Sequence, residues 1–293
     1  HTCGYGLDEY SLRAAELIRE KCGQPQAQVH MMTGGTSANV IALAAFLRPY
    51  EAAICAPTGH IHVHETGALE ATGHKIVTCE AKEGKVIPQG VAEVCARHTD
   101  EHMVFPRLLY ISQPTEIGTV YSLSELKALR QVCDENGLLL FVDGARLGSA
   151  LTSAECDMTL RDLAALADCF YIGGTKNGLL FGEAMVIVNP ALQANFRYMI
   201  KHNGGMMAKG RLCGVMFLAA MENDDYFGWA RHANAMADIV RTGMEKGGVP
   251  LYQRTTTNQI FAILTQEQNE TLEKDFSYEI WEKLEDGKVV VRF

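Results

Sequence analysis

The sequence predicts an α/β protein in which a mostly parallel sheet is sandwiched by helices and followed by a small α+β C-terminal domain. Three observations predict this architecture. Apolar segments of strand length alternate with helical patterns up to about residue 190. These strand segments are apolar at nearly every position, which is typical of parallel strands covered on both faces. Beyond that point the pattern becomes helical and then mixed.

The strands and helices of the first part follow from apolar spacing. Continuous apolar runs predict strands at residues 27–33, 51–57, 74–81, 106–112, 138–145, 168–174 and 182–188. Helical spacing predicts helices at residues 9–23, 36–47, 65–73, 87–98, 122–137 and 159–167, the second of them opened by Thr36 or Ser37. The helix at 122–137 has the clearest ends, because Ser122 and Glu125 form a capping-box pattern and Gly137 follows it.

The second part of the chain is predicted to be mainly helical. Helices are expected at residues 191–202, 211–223 and 226–248, and strands at 258–265 and 288–293. We therefore divide the chain into a large α/β domain, residues 1–205, and a second part, residues 206–293. The second part is expected to hold a helical connection and a small α+β domain that is incomplete at its end.

The amino-acid composition indicates which kinds of binding partner are not expected. The 293 residues are 47% hydrophobic and 21% charged, with a net charge of −9 and no basic block, so we expect no nucleic-acid partner. No apolar run reaches the length of a membrane span, so we expect no membrane partner. The nine cysteines are scattered and form no C-x-x-C pair. Scattered cysteines of this kind are typical of proteins whose thiols are reduced, and we therefore expect a cytoplasmic protein.

The segment "MMTGGTSANV" joins a predicted strand to a predicted helix. Gly35 and Thr36 lie at the start of the helix, where free backbone N–H groups and the helix dipole favour an anion. The alternative interpretation is a tight turn without a ligand. The segment is neither a dinucleotide-binding nor a Walker motif.

The segment "LLLFVDGARLG" places a carboxylate at the end of the most apolar strand. Asp143 closes that strand, and Arg146 follows three residues later. The two side chains form either a structural ion pair or part of a functional site. In the functional interpretation, Asp143 keeps a heterocyclic nitrogen protonated.

The segment "CFYIGGTKNGLLFG" contains a single lysine, Lys176, in a glycine-rich turn between two apolar runs. One interpretation is a charged turn at the surface. The other is a buried amine that loses its proton near neutral pH and attacks a carbonyl. A lysine of this kind, an Asp partner for a pyridinium nitrogen and an anion-binding helix start are what pyridoxal 5'-phosphate (PLP) requires.

Three histidines lie close together in "GHIHVHETGALEATGH". On a strand, His60, His62 and His64 would share one face and indicate a metal site. No Cys or Asp nearby completes a known ligand spacing, and no metal is predicted. If PLP binds, one imidazole is expected to stack on its ring, and the other two to be surface or hydrogen-bonded histidines.

On these residues, the chain resembles the low-specificity L-threonine aldolases, which are fold-type-I PLP enzymes, essentially from end to end. "TGGTSANVIAL" is similar to the phosphate loop of that family, which implies that Gly35 and Thr36 bind the cofactor phosphate. "GHIHVHETGA" is similar to the histidine segment. It implies that His60 stacks on the pyridine ring and acts near the substrate hydroxyl.

The resemblance extends to the segments of Asp143 and Lys176. "FVDGARL" implies that Asp143 contacts the pyridine nitrogen and that Arg146 lies near the phosphate or the substrate. "GGTKNGL" matches the segment of the lysine that binds the cofactor covalently, which is Lys176. We expect Lys176 and Asp143 to bracket one pyridine ring.

Two further lysines are implicated by the resemblance. "KHNGGMMAKG" is similar to a segment that reaches the phosphate of the neighbouring subunit, which implies Lys201 and Lys209 there. The spacing differs from the family by one residue, and Lys209 stands where an arginine is usual. A homodimer or homotetramer with shared active sites follows from the resemblance.

Substrate binding is implied for two more positions. "VVVRF" resembles the strand whose arginine grips the substrate carboxylate, hence Arg292. "QPTEIGTVYS" places Glu116 where the family usually has a histidine close to the substrate. Glu116 is therefore a candidate for the catalytic base or for binding a polar aldehyde. The base is His60, Glu116 or a water between them.

The activity that the resemblance implies is cleavage of L-threonine, L-allo-threonine or a related β-hydroxy-α-amino acid to glycine and an aldehyde, with PLP as cofactor. One alternative keeps PLP and changes the reaction to β-elimination, racemisation or transamination of a small amino acid. Another is a non-catalytic or metal-binding member in which the histidines matter.

Overall fold

A seven-stranded sheet forms the centre of the computed structural model, which describes residues 2–293. Numbered along the chain, the strands are β1 (Gln28–Met32), β2 (Glu51–Cys55), β3 (Lys75–Thr78), β4 (Ala81–Lys82), β5 (Lys85–Val86), β6 (Phe105–Ser112), β7 (Leu139–Asp143), β8 (Cys169–Gly173), β9 (Glu183–Ile187), β10 (Leu251–Gln253), β11 (Phe261–Leu264), β12 (Glu279–Lys283) and β13 (Val289–Arg292). The large sheet has the order β1-β9-β8-β7-β6-β2-β3.

The helices are α1 (Glu9–Cys22), α2 (Gly35–Phe46), α3 (His60–Val63), α4 (Pro88–Arg97), α5 (Leu123–Asn136), α6 (Leu147–Leu151), α7 (Leu160–Leu166), α8 (Phe196–His202), α9 (Arg211–Glu222), α10 (Asp225–Lys246) and α11 (Gln266–Leu272). Buried residues of α2 and α8 form a core on one face of the large sheet. Those of α1, α4, α5, α7 and α9 form a second core on the opposite face. The predicted sandwich is therefore confirmed.

Within residues 2–293, no helix combines the length and the apolar content that crossing a membrane requires.

The large sheet is mostly parallel, as predicted. Strands β3, β2, β6, β7 and β8 run parallel to one another, whereas β9 is antiparallel to both β8 and β1. The last residue of β6, Ser112, pairs with the last residue of β7, Asp143. Because β9 is reversed, its first residue, Glu183, pairs with the last residue of β8, Gly173. The polar side chains of Ser112, Asp143 and Glu183, from three strands, therefore lie at the same edge of the sheet.

The C-terminal part contains an antiparallel sheet of order β10-β11-β13-β12. The sequence predicts β11 and β13, which are apolar and buried, but it does not predict β12. Strand β12 has only two apolar residues, Ile280 and Trp281, between charged ones and is exposed along most of its length, so it lacks the apolar run used to predict strands. The domain boundary at residues 205 and 206 stays a prediction.

Two predicted helices are wrong in extent. Residues 65–73 contain only a short 3₁₀ turn, Glu70–Thr72, because Thr66 and Gly67 adopt the left-handed conformation and cannot continue a helix. The predicted helix at 191–202 is a 3₁₀ turn at Pro190–Leu192 followed by α8, since Asn195 is also left-handed. Helix α2 begins at Gly35, one residue before the predicted Thr36.

A backbone contact joins the ends of β7 and β8. The N–H of Gly173 donates to the carbonyl of Gly144 at 2.9 Å. A Cβ on Gly144 would overlap the carbonyl oxygen of Tyr171, and a Cβ on Gly173 would overlap the carbonyl oxygen of Ala145. Only glycine permits this approach, which brings the residues after both strands together.

We predict that Gly144→Ala lowers the free energy of unfolding by about 3 kcal/mol, because the added methyl group must push the two strand ends apart. Chemical denaturation measures the change. The matched control is Gly243→Ala on α10, where a Cβ would meet nothing within 4 Å. That variant is expected to gain about 0.5–1 kcal/mol from helix propensity. Equal stability of Gly144→Ala and the native protein would contradict the close contact.

Candidate active site

Asp143 is a buried carboxylate at the carboxyl end of β7. Its Oδ1 accepts the N–H of Ala145 at 2.9 Å. Its Oδ2 accepts the amide of Asn39 at 3.2 Å and the hydroxyl of Tyr110. Among residues 2–293, no cation lies within 4.0 Å of Asp143, so the structural ion pair with Arg146 is not formed. The carboxylate is held in place by neutral donors.

Lys176 lies in the turn that follows β8. Its side chain is exposed, which differs from the expectation of a buried amine. The surrounding protein nevertheless desolvates the amine in part, and this desolvation, followed by the positive charge of Arg146, lowers the pKa of Lys176. Asp143 and Glu183 act in the opposite direction and favour the charged form. Lys176 therefore shares an electrostatic environment with the ends of β7 and β9.

The turn that carries Lys176 is anchored on both sides. The N–H groups of Gly174 and Thr175 donate to the carbonyl of Gly182 at 3.0 and 3.1 Å. The buried side chain of Asn177 donates to the carbonyl of Tyr226 on α10 at 2.8 Å. These contacts fix the backbone on either side of the lysine.

His60 opens the short helix α3 and is held by a buried carboxylate. Its Nδ1 lies 2.8 Å from Oε1 of Glu65, which also accepts the amide of Asn39 at 2.7 Å. Desolvation of His60 would lower its pKa, but the hydrogen bond to Glu65 and the charge of Asp143 outweigh this and raise the pKa. Asn39 thus links the partner of His60 to Asp143.

Within residues 2–293, the side chains of the other two histidines donate no hydrogen bond to this network, although the ring of His64 lies 5.5 Å from that of His60. The segment is helical, not the strand considered from the sequence. His62 and His64 are exposed, and the ring of His64 lies 5.3 Å from that of Trp281. In the part of the chain that the structure describes, no group of three or more His, Cys, Asp or Glu side chains is placed to hold a metal ion.

Glu116 is buried in the loop after β6. Its Oε1 accepts the hydroxyl of Ser112 at 2.5 Å and the backbone N–H of His60 at 3.0 Å. Burial, with a further contribution from the charge of Asp143, raises the pKa of Glu116. Glu116 therefore lies beside His60 and can hold a proton at higher pH than an ordinary glutamate.

Arg146 is a half-buried cation at the start of α6. Burial, together with the charge of Arg292, lowers the pKa of Arg146 to about 10. No carboxylate of residues 2–293 lies within 4.0 Å of its guanidinium. Because a desolvated cation without a counter-ion is unfavourable, Arg146 is suited to bind an anionic ligand.

The start of α2 offers a second anion-binding feature. The N–H of Ala38 is the first to donate within the helix, to the carbonyl of Gly34. The N–H groups of Gly35, Thr36 and Ser37 consequently have no acceptor within the helix. Gly35 also packs closely on β8, since a Cβ there would lie 3.2 Å from the hydroxyl of Tyr171.

Arg292 extends from β13 towards the site. It forms an ion pair with Glu279, the residue directly opposite on β12, and its guanidinium lies 5.1 Å from the ring centroid of Trp281. Its charge lowers the pKa values of both Arg146 and Lys176. The small sheet therefore contributes positive charge to the same region.

Lys201 and Lys209 are exposed. The amine of Lys201 lies 5.3 Å from the ring centroid of Tyr5. Their predicted contact with a neighbouring subunit stays a prediction.

Four residues at the site were not predicted from the sequence. They are Asn39, Glu65, Tyr110 and Glu183. Two of them had a visible signal. Glu65 closes the histidine segment, and Glu183 is an acidic residue at the start of an otherwise apolar strand. Asn39 and Tyr110 lie inside regular elements and carry no comparable signal.

Comparison with known proteins identifies the family. The model of the beta-eliminating lyase family matches residues 1–267. The chain therefore belongs to the beta-eliminating lyase family.

Within that family, the resemblance to the low-specificity L-threonine aldolases is confirmed. A low specificity L-threonine aldolase from Pseudomonas aeruginosa is 32% identical over 275 residues, which cover 93% of this chain and 79% of that protein. One from Pseudomonas sp. is 33% identical over the same shares of the two chains. The solved structure of a Leishmania major threonine aldolase is 45% identical with a TM-score of 0.98, and the match covers 100% of this chain and 86% of that one.

We predict that Glu65→Gln lowers the pKa of His60, because the substitution removes the negative charge beside Nδ1 and keeps the shape of the side chain. NMR titration of the histidine ring protons measures this pKa. The control variant is Glu51→Gln, at a buried glutamate that begins β2, which should leave the pKa of His60 unchanged. An unchanged pKa of His60 would show that Glu65 does not hold its proton.

Proposed function

We propose that this chain is a PLP-dependent aldolase that cleaves L-threonine, L-allo-threonine or a related β-hydroxy-α-amino acid to glycine and an aldehyde. The observation that carries the proposal is the placement of Lys176 and Asp143. They follow adjacent parallel strands whose ends are held together by Gly144 and Gly173. The names of the Pseudomonas relatives support the choice of reaction.

The residues of the site fit PLP. Arg146 lacks a counter-ion among residues 2–293, and the phosphate would supply one. The free N–H groups of Gly35 and Thr36 would bind the same phosphate. Asp143 would accept a hydrogen bond from the protonated ring nitrogen, and Lys176 would bind the aldehyde carbon covalently.

When bound, PLP supplies an electron sink for the charge that develops at Cα of an amino acid. Asp143 would keep the proton on the ring nitrogen, because its buried carboxylate favours a positive partner there. The lowered pKa of Lys176 increases the fraction of neutral amine, which is the nucleophilic form. His60 would pack against the ring, since Glu65 fixes the orientation of its imidazole.

Cleavage requires removal of the proton from the β-hydroxyl group of the substrate. His60 keeps Nε2 free for this task, because Nδ1 faces Glu65. Glu116, with its raised pKa, is the second candidate, and a water between the two is the third. A general base contributes ~10²–10⁴-fold to such a step.

Arg292 would bind the substrate carboxylate. In the free chain its partner is Glu279, so the substrate would replace one carboxylate with another at the same guanidinium. The stacking of Arg292 near Trp281 limits its orientation. Glu116 would lie on the side of the aldehyde product and influence which aldehyde is accepted.

β-Elimination is a second candidate reaction, since the matching family model is described as beta-eliminating lyases. It would use the same lysine and carboxylate, but a substrate with a leaving group at Cβ. Its products, a 2-oxo acid with the carbon skeleton of the substrate and ammonia, distinguish it from aldol cleavage.

The proposal includes a homodimer or homotetramer in the cytoplasm, with Lys201 and Lys209 acting at the site of a neighbouring subunit. Leu180, four residues after Lys176, is 87% exposed, which is unusual for a large apolar side chain unless another chain covers it. The boundary between residues 205 and 206 is proposed as the limit of the cofactor-binding domain.

We predict that the protein purified with PLP converts L-threonine or L-allo-threonine to glycine and acetaldehyde, measured by glycine release. Lys176→Ala should lower the rate by more than about 10³-fold, because it removes the covalent attachment. Lys127→Ala changes an exposed lysine on α5 and should retain full activity. 2-Oxobutyrate and ammonia without glycine would replace the aldolase assignment with β-elimination. An active Lys176→Ala variant would overturn the role of Lys176.

A further inference from the structure

Glu183 is a buried acidic residue that the proposed reaction leaves without a role. It begins β9, and only 3% of its surface is exposed. In the sheet it pairs with Gly173 on one side and with Met32 on the other. A carboxylate at such a position is unfavourable unless its charge or its hydrogen bonds serve the structure or the function.

The carboxylate of Glu183 contacts the turn that carries Lys176. Its Oε2 accepts the N–H of Gly174 at 2.9 Å. Glu183 also lies close to Thr175, whose Oγ1 accepts the N–H of Gly182 at 2.9 Å. Glu183 therefore fixes the two residues that precede Lys176, and it does so from inside the protein.

No direct ion pair joins Glu183 and Lys176 within residues 2–293 at a limit of 4.0 Å. The two groups interact through space: the charge of Glu183 favours protonated Lys176, and the charge of Lys176 favours ionised Glu183. Burial nevertheless raises the pKa of Glu183 to about 7. The other titratable groups that interact with Glu183 are Asp143 on β7, Tyr171 on β8, Cys213 on α9 and Tyr226 on α10.

We propose that Glu183 is a positioning residue for Lys176: it holds the backbone of the lysine turn, and the gain or loss of its own proton sets the charge next to the Lys176 amine. Protonated Glu183 leaves the amine freer to lose its proton. Ionised Glu183 stabilises the ammonium form. The functional meaning of this coupling rests on the proposed role of Lys176, but the coupling itself is a property of the chain.

The test measures the reactivity of the Lys176 amine directly. The full chain is treated with hydroxylamine to remove any carbonyl compound and is then labelled with trace acetic anhydride between pH 6 and 9. Mass spectrometry of the Lys176 peptide gives the rate relative to a free reference amine. We expect Glu183→Gln to label about two- to fivefold faster than the native chain at pH 8, because an attractive negative charge is gone.

The matched control is Glu51→Gln. Glu51 is also buried, also opens a strand, and also accepts a backbone N–H, that of Arg48 at 2.8 Å. It begins β2, at the opposite edge of the sheet, so its substitution should leave labelling of Lys176 unchanged. Equal labelling of the native chain and a folded Glu183→Gln variant would overturn the proposal, as would an equal effect of Glu51→Gln.

The native chain alone provides a test that does not depend on the folding of a variant. Its relative labelling rate should bend downward near pH 7, as Glu183 ionises and retains the proton on Lys176. A profile without this bend would overturn the proposal. No cofactor or substrate is involved, so this result is independent of whether the protein proves to be an aldolase.

Stability provides a second measurement. The pKa of Glu183 is raised from its ordinary value of 4.5, so the folded state binds the proton more tightly than the unfolded chain. The contribution of this group to the free energy of unfolding therefore falls as pH rises from about 4.5 to about 7 and then stays constant. The difference in Tm between Glu183→Gln and the native chain should therefore change with pH. It should move by about 2–4 °C in favour of Glu183→Gln as the pH rises from 5 to 8. A difference in Tm between the two proteins that does not change with pH would contradict the titration of Glu183 in this range.

Discussion

The backbone contact between Gly144 and Gly173 is the constraint on which the candidate site depends. It holds the end of β7, which carries Asp143, against the end of β8, which leads into the turn of Lys176. A side chain at either glycine would move these two groups apart. The parallel sheet supplies the direction of both strands, and the glycines supply the short distance between their ends.

At this edge of the sheet, the charge states of the side chains depend on burial more than on direct ion pairs. Burial raises the pKa values of Glu116 and Glu183, and desolvation lowers those of Lys176 and Arg146. Acids and bases are thus both shifted towards their neutral forms. Such shifts bring the pKa values of the acids and of the cations closer together, which eases the proton transfers of the proposed cleavage and the proposed coupling of Glu183 to Lys176.

The fold and the centre of the site could be predicted from the sequence because both depend on local patterns. Apolar runs mark buried strands, and Asp143 and Lys176 are polar residues placed directly after them. Partners that come from distant parts of the chain could not be predicted: the hydrogen bond from the amide of Asn39 on α2 to Asp143 joins residues 104 positions apart. The extent of the helix after the histidines was wrong because left-handed Thr66 is not evident from residue type.

The central claim is that the amine of Lys176 forms a covalent bond with PLP while Asp143 faces the same ring. The most direct measurement is reduction of the PLP-loaded protein with borohydride, followed by mass mapping of its peptides. The account predicts one reduced pyridoxyl phosphate group for each chain, attached to Lys176. Attachment to another lysine, or no attachment at full loading, would contradict it.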